Sequence, residues 1–141
     1  MDKKVKVILL VLIVCFAAIL IKNLYDYRIK TIDEAIGFNL DSVYKVEILK
    51  DGQSNVTENE EKIKELTRWL REYKYKMNSH LKGRVDFSYY AINFYCHDKS
   101  GFVAFDEKDK KNMIIINGYT YEIVNGPIED SYLQHFWQSI K

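Results

Sequence analysis

Fifteen residues in a row, Val7 to Ile21 (VILLVLIVCFAAILI), carry no polar side chain. A helix on the surface of a soluble domain keeps a polar stripe, and this run has none, so its pattern predicts a helix in lipid. Taken from Val5 to Ile21 at ~1.5 Å per residue it spans roughly 25 Å, slightly short of a hydrocarbon layer of ~30 Å. Lys6 and Lys22 can close the difference by laying their stems along the apolar surface, and Tyr25 and Tyr27 stand where interfacial aromatics are expected. Cleavage would need a small-x-small site after the run, but Ala17-Ala18 is followed by Ile19, Leu20 and Ile21, which continue it. Lipid attachment at Cys15 would need a small residue before the cysteine, and Val14 stands there. Residues 1–22 are therefore expected to be an uncleaved anchor, with the membrane as the partner of residues 5–21. Lys3, Lys4 and Lys6 crowd one short flank while Lys22, Arg28 and Lys30 are spread along the other, so the dense cluster is assigned to the cytoplasm. The expected localisation is the cell membrane, single-pass, with the rest of the chain outside the cytoplasm.

Beyond the run, residues 23–41 read as a juxtamembrane stalk holding one helical turn, in which Thr31 and Glu34 form a capping box and Gly37 stops the turn. From Val43 to Leu49 apolar and polar positions alternate, with Tyr44, Val46 and Ile48 on one face, which predicts a half-buried strand closed by Asp51-Gly52. A polar stretch then leads to a second expected capping box, Thr57 to Glu60. Ile63, Leu66, Trp69, Leu70 and Tyr73 recur at helical spacing opposite a charged face. Met77 to Val85 reads as a loop, and Phe87 to His97 as a long aromatic strand. Phe102 to Phe105 follows as a strand, and Met113–Ile116 and Tyr119–Val124 flank Asn117-Gly118, a type I′ hairpin signal. Ile128, Tyr132, Leu133, Phe136, Trp137 and Ile140 make an apolar stripe on a last helix. The order β-α-β-β-β-β-α predicts an α+β domain over residues 42–141: a two-layer fold with a mainly antiparallel five-stranded sheet and two helices. Tyr44, Val46, Ile48, Ile63, Leu66, Trp69, Leu70, Tyr90, Ile92, Phe94, Leu133, Phe136, Trp137 and Ile140 are its expected core.

Composition narrows the function classes. The 141 residues balance 21 basic against 20 acidic groups, and setting aside Asp2, Lys3, Lys4, Lys6 and Lys22 leaves about −2, too little field to gather a polyanion. No nucleic-acid partner is expected. His80, His97 and His135 stand at no metal-ligand spacing with one another or with a cysteine, and there is no HExxH, GxSxG or phosphate-cradling glycine loop. No catalytic residue, metal or cofactor is predicted. Glu58, Glu60 and Glu61 complement the positive end of a helix rather than hold a cation, and Cys96 reads as a small buried hydrophobe.

Eleven tyrosines are the one compositional feature with functional content. Phe87, Tyr89, Tyr95 and His97 share one face of the long strand, a face free of charged side chains, and Tyr joins apolar area to a polar tip in the way recognition surfaces use. These four residues are the expected partner surface, provided that the helices cover the opposite face. The runs DEAIGFNLDSVYKVEILKDG, TENEEKIKELTRWL and INGYTYEIVNGPIEDSYLQHF resemble the layout of small membrane-anchored or lipoprotein-like exported domains of unknown function from Gram-positive bacteria. The resemblance implies location and fold, and carries no catalytic residue across. The expected function is a non-enzymatic, membrane-anchored extracytoplasmic module that binds a protein or cell-envelope component. Its rivals are a small-ligand sensor or enzyme with an unrecognised site, and a membrane-tethered immunity or accessory protein.

Overall fold

The computed structural model describes residues 2–82, 90–105 and 112–141, with backbone alone for 79–82. Helix α1 (Lys3–Asp26) begins at Asp2, whose carboxylate accepts from the Lys4 N–H at 3.4 Å, and none of its residues is buried. Its 24 residues have a mean hydropathy of 2.8 over the most apolar window. A helix of this length, apolarity and position is compatible with a membrane anchor or with a signal sequence.

The domain is α+β with an antiparallel sheet, but its sheet is larger than five strands. Among the described residues there are eight: β1 (Ile29–Lys30), β2 (Lys45–Lys50), β3 (Gln53–Thr57), β4 (Tyr75–Lys82), β5 (Tyr90–Tyr95), β6 (Ser100–Phe105), β7 (Met113–Ile116) and β8 (Tyr119–Ile123). They lie in the order β1-β4-β8-β7-β6-β5-β2-β3, every neighbouring pair antiparallel. With α1, helices α2 (Ile32–Ile36), α3 (Glu60–Arg71) and α4 (Asp130–Ser139) make four α-helices among the described residues.

Three of the strands correct the expectation, each for a local reason. Gln53–Thr57 is too polar to read as a strand, yet the turn before it has Asp51 at φ 50° and Gly52 at φ 75°. That left-handed pair folds the chain straight back on β2, as in a type I′ hairpin. The span read as a loop from Met77 falls partly in β4, whose pairing with β8 slips between Met77 and Ser79 and again before Lys82. Those slips break the alternation that would mark a strand. β1 is a two-residue edge strand, which has no period to detect. The hairpin at Asn117-Gly118 has the expected backbone, at φ 50° and 87°.

Residues 23–41 do not form a free stalk. The Thr31–Glu34 capping box and the left-handed Gly37 are present, and they turn Ile32, Ile36 and Leu40 into the core, at 0%, 3% and 1% exposure. The second capping box shifts: Thr57 is held in β3 opposite Val46, and Asn59 caps α3 instead, accepting from the Lys62 N–H at 3.0 Å. One core then joins the helices to a single face of the sheet, with Val46, Ile48, Ile92, Phe94, Val103, Ile114, Ile116 and Tyr121 beneath Ile63, Leu66, Trp69, Leu70, Leu133, Phe136 and Trp137. Of the expected core, Tyr44 is instead exposed and Ile140 only half-buried, because Tyr44 precedes β2 and its ring lies against His97.

Gly101 of β6 shows how closely α2 is seated. A Cβ there would lie 2.6 Å from Ile36 Cγ1 and 2.8 Å from Phe38 Cε1. Gly101→Ala is expected to cost about 1 kcal/mol by overpacking, read as a lowered urea midpoint. An unchanged midpoint would mean that α2 and Phe38 do not rest on β6.

Candidate functional site

With the helices on one face, the opposite face of β2, β5 and β6 presents the side chains that alternate with the core. On β5 these are Ala91, Asn93 and Tyr95, and on β2 Lys45, Glu47 and Leu49. Of the expected partner surface, Tyr95 is half-buried on this face and His97 is exposed just beyond the strand end. Phe87 and Tyr89 lie outside the described residues.

The structure gathers Tyr95 and His97 with residues in and just before β2 that strand periodicity alone cannot associate with them. Tyr44 stacks on His97 with ring centroids 5.0 Å apart and planes 16° apart. The Lys45 ammonium lies 4.5 Å from the centre of the Tyr95 ring and 6.0 Å from that of Tyr44. Both rings thus offer their negative faces to one cation. The expected face free of charge is therefore corrected: antiparallel pairing of Lys45 with Tyr95 and Glu47 with Asn93 sets two charges among the aromatics.

Glu47 is the fixed point of this surface. Its carboxylate accepts from Ser54 Oγ at 2.6 Å, Asn93 Nδ2 at 3.1 Å and the Tyr95 hydroxyl at 2.8 Å. These donors, Ser54 foremost, hold the carboxyl below its ordinary range, while the same bond pushes the Tyr95 hydroxyl up. A charge-assisted bond at each partner orients Tyr95 as a rigid ring standing over an open hollow of about 220 Å³ lined by Asn93, Ser100, Gly101, Phe102 and Asn117.

Two further depressions flank the domain. One, of about 600 Å³, lies between Tyr25 at the end of α1 and the turn Gly37–Asn39, with Asp33, Asp41 and Arg71 in its wall. Arg71 spans it, donating through Nε and Nη2 to both oxygens of Asp33 at 2.9 Å and through Nη1 to Asp41 at 2.8 Å. The other, of about 350 Å³, lies at the Thr57 end of β3, between Tyr44 and the start of α3, with Glu58, Glu60 and Lys64 at its rim.

The aromatic face offers π faces, one cation and one oriented carboxylate. Cys96 is buried with its Sγ 3.3 Å from Ser42 Oγ, and no group of three metal-ligating side chains occurs among the described residues. The sequence signal that could have found Tyr44 and Lys45 was their place where the chain enters β2, which only the pairing with β5 turns into a shared surface. No protein-family model matches this chain, no curated protein matches it, and no solved structure matches it.

Proposed function

We propose that the protein is a non-enzymatic, membrane-anchored module whose extracytoplasmic domain binds a protein or cell-envelope component through the face of Tyr44, Lys45, Tyr95 and His97. The observation that carries this reading is the exposed Tyr44–His97 stack beside Lys45 and Tyr95. Tyr44 is 42% exposed although it is large and aromatic, and aromatics so placed around a fixed polar group suit a contact surface. The anchor supports the reading by restricting where a partner can be. Only Tyr27 and Arg28 separate α1 from β1, Arg28 is ion-paired with Glu34 at 2.7 Å and lies 4.5 Å above the Tyr25 ring, and the buried Ile32 follows at once. The domain of an anchored protein would then sit at the headgroups, within reach of envelope components and of neighbouring membrane proteins. That short tether also favours the accessory-protein reading, in which the neighbour is itself in the membrane. The dense Lys3, Lys4, Lys6 flank supports an outward-facing domain.

A photo-crosslinking residue placed at His97 or, on the helical side of the sheet, at Gln134 tests the reading in intact cells. A discrete adduct from His97 alone, on a protein whose domain is removed by protease added to spheroplasts, is the expected result. Equal adducts from both positions would remove the aromatic face from the proposal, and protection of the domain until lysis would reverse the topology.

A further inference from the structure

Among the described residues β3 is the outermost strand on its side of the sheet, and its outward edge has the features of a site for an added strand. We propose that β3 accepts an extended segment of a partner protein by antiparallel strand addition, with a basic side chain of that segment lodged beside Glu58 in the depression at the end of the strand. This inference rests on the binding role proposed above for the existence of a partner, but it uses a different surface.

The two-residue turn Asp51-Gly52 makes Lys50 and Gln53 a hydrogen-bonded pair, so Asn55 and Thr57 also bond inward to β2. Ser54 and Val56 are then the non-bonded positions of that ladder, and their N–H and C=O groups point away from the sheet, where no further strand follows among the described residues. Gln53, Ser54 and Val56 are all exposed, Val56 by 51% despite being apolar.

Sheet edges open to solvent are ordinarily guarded by lysine, proline or a bulge, and QSNVT has none of the three, its pairing with β2 being unbroken. The opposite edge, β1, is only two residues long.

The side chains beyond Thr57 select the occupant. The depression of about 350 Å³ lies between Val43, which leads into β2, and the start of α3, and Glu58, the first residue beyond β3, stands in its wall. Of the carboxylates in its wall, Asp41 is paired with Arg71 and Glu60 with Lys64. Glu58 forms no ion pair among the described residues, and it offers its carboxylate to a lysine or arginine. Strand addition of this kind draws affinity from main-chain hydrogen bonds and specificity from alternate side chains.

Selection of a displayed random nonapeptide library on the full-length protein in lipid nanodiscs tests the proposal. The expected peptides alternate β-branched residues and carry a Lys or Arg at one fixed end. Val56→Pro, which removes an outward N–H and no ladder bond, should weaken them at least tenfold, as should Val56→Lys if the proline variant fails to fold. Glu58→Gln should weaken them several-fold, and amide exchange at Ser54 and Val56 should slow on binding. Binding that survives both Val56 variants, or selection of no peptide, overturns strand addition; peptides without a fixed basic residue overturn the role of Glu58. The His97 crosslink reads the aromatic face alone, so either proposal can fail while the other stands.

Discussion

Trp137→Ala is expected to destabilise the domain by roughly 3 to 5 kcal/mol. Trp137 is 4% exposed on the inner side of α4, its carbonyl accepts from Asn55 Nδ2 of β3 at 3.4 Å, and it belongs to the one core cluster. An indole so placed buries on the order of 200 Å² of apolar area, and truncation leaves a cavity that backbone held on two sides cannot close. The same range is expected at Trp69, which stacks on Tyr132 at 4.3 Å and meets Phe105 of β6 at 6.2 Å, tying α3 to both α4 and the sheet. Because small domains hold only ~5 to 15 kcal/mol in all, Trp137→Phe serves as a milder companion that keeps most of the contact. Urea unfolding of the full chain in micelles, followed by the fluorescence of the remaining tryptophan, measures both. A loss below about 1 kcal/mol at each tryptophan would mean that the helices do not cap the sheet.

Elements with a strong period were legible in the sequence: α3 from Ile63, Leu66, Trp69 and Leu70, β5 from its alternation, and the Asn117-Gly118 hairpin from two residues that tolerate left-handed backbone. What was not legible lay where a tertiary neighbour, rather than a local pattern, decides the outcome. Gln53–Thr57 is a strand because the Asp51-Gly52 turn returns it to β2, and the inward Thr57 then moves the cap of α3 to Asn59. Ile32, Ile36 and Leu40 look like the apolar minority of a polar stalk until Arg71, far along the chain, fastens that segment to α3.

The candidate site divides in the same way. Tyr95 and His97 follow from strand periodicity, since they alternate with the buried Tyr90, Ile92, Phe94 and Cys96. Their charged companions do not, because Lys45 and Glu47 join them only through the register of β2 on β5. A face judged from one strand is half a surface; the other half comes from the strand beside it.

Arg71→Ala should cost about 2 kcal/mol at neutral pH, with a pH dependence that separates the charge from the packing. The guanidinium makes a bidentate pair with Asp33 and further bonds to Asp41 and to Asn39 Oδ1 at 3.1 Å. Asp33 also accepts from the Leu40 N–H at 2.7 Å, so one arginine fixes both ends of the segment that carries Ile32, Ile36 and Leu40. Charge-assisted bonds of this kind are worth ~1.5 to 3 kcal/mol, discounted here because Arg71 and Asp33 keep 34% and 26% of their side chains exposed. Arg71, ahead of the Leu40 N–H, holds the Asp33 carboxyl below its ordinary value of 3.8. A depressed carboxyl stabilises the fold above its unfolded value, and that contribution fades as the pH falls below it toward the folded one. The gap between the native chain and Arg71→Ala should therefore be full at pH 7 and shrink on acidification below about 3.8, leaving the part due to the arginine stem. Paired urea titrations at pH 7 and near pH 2.5 measure the gap, and an equal gap at both would show that Arg71 holds the segment by packing and not by charge.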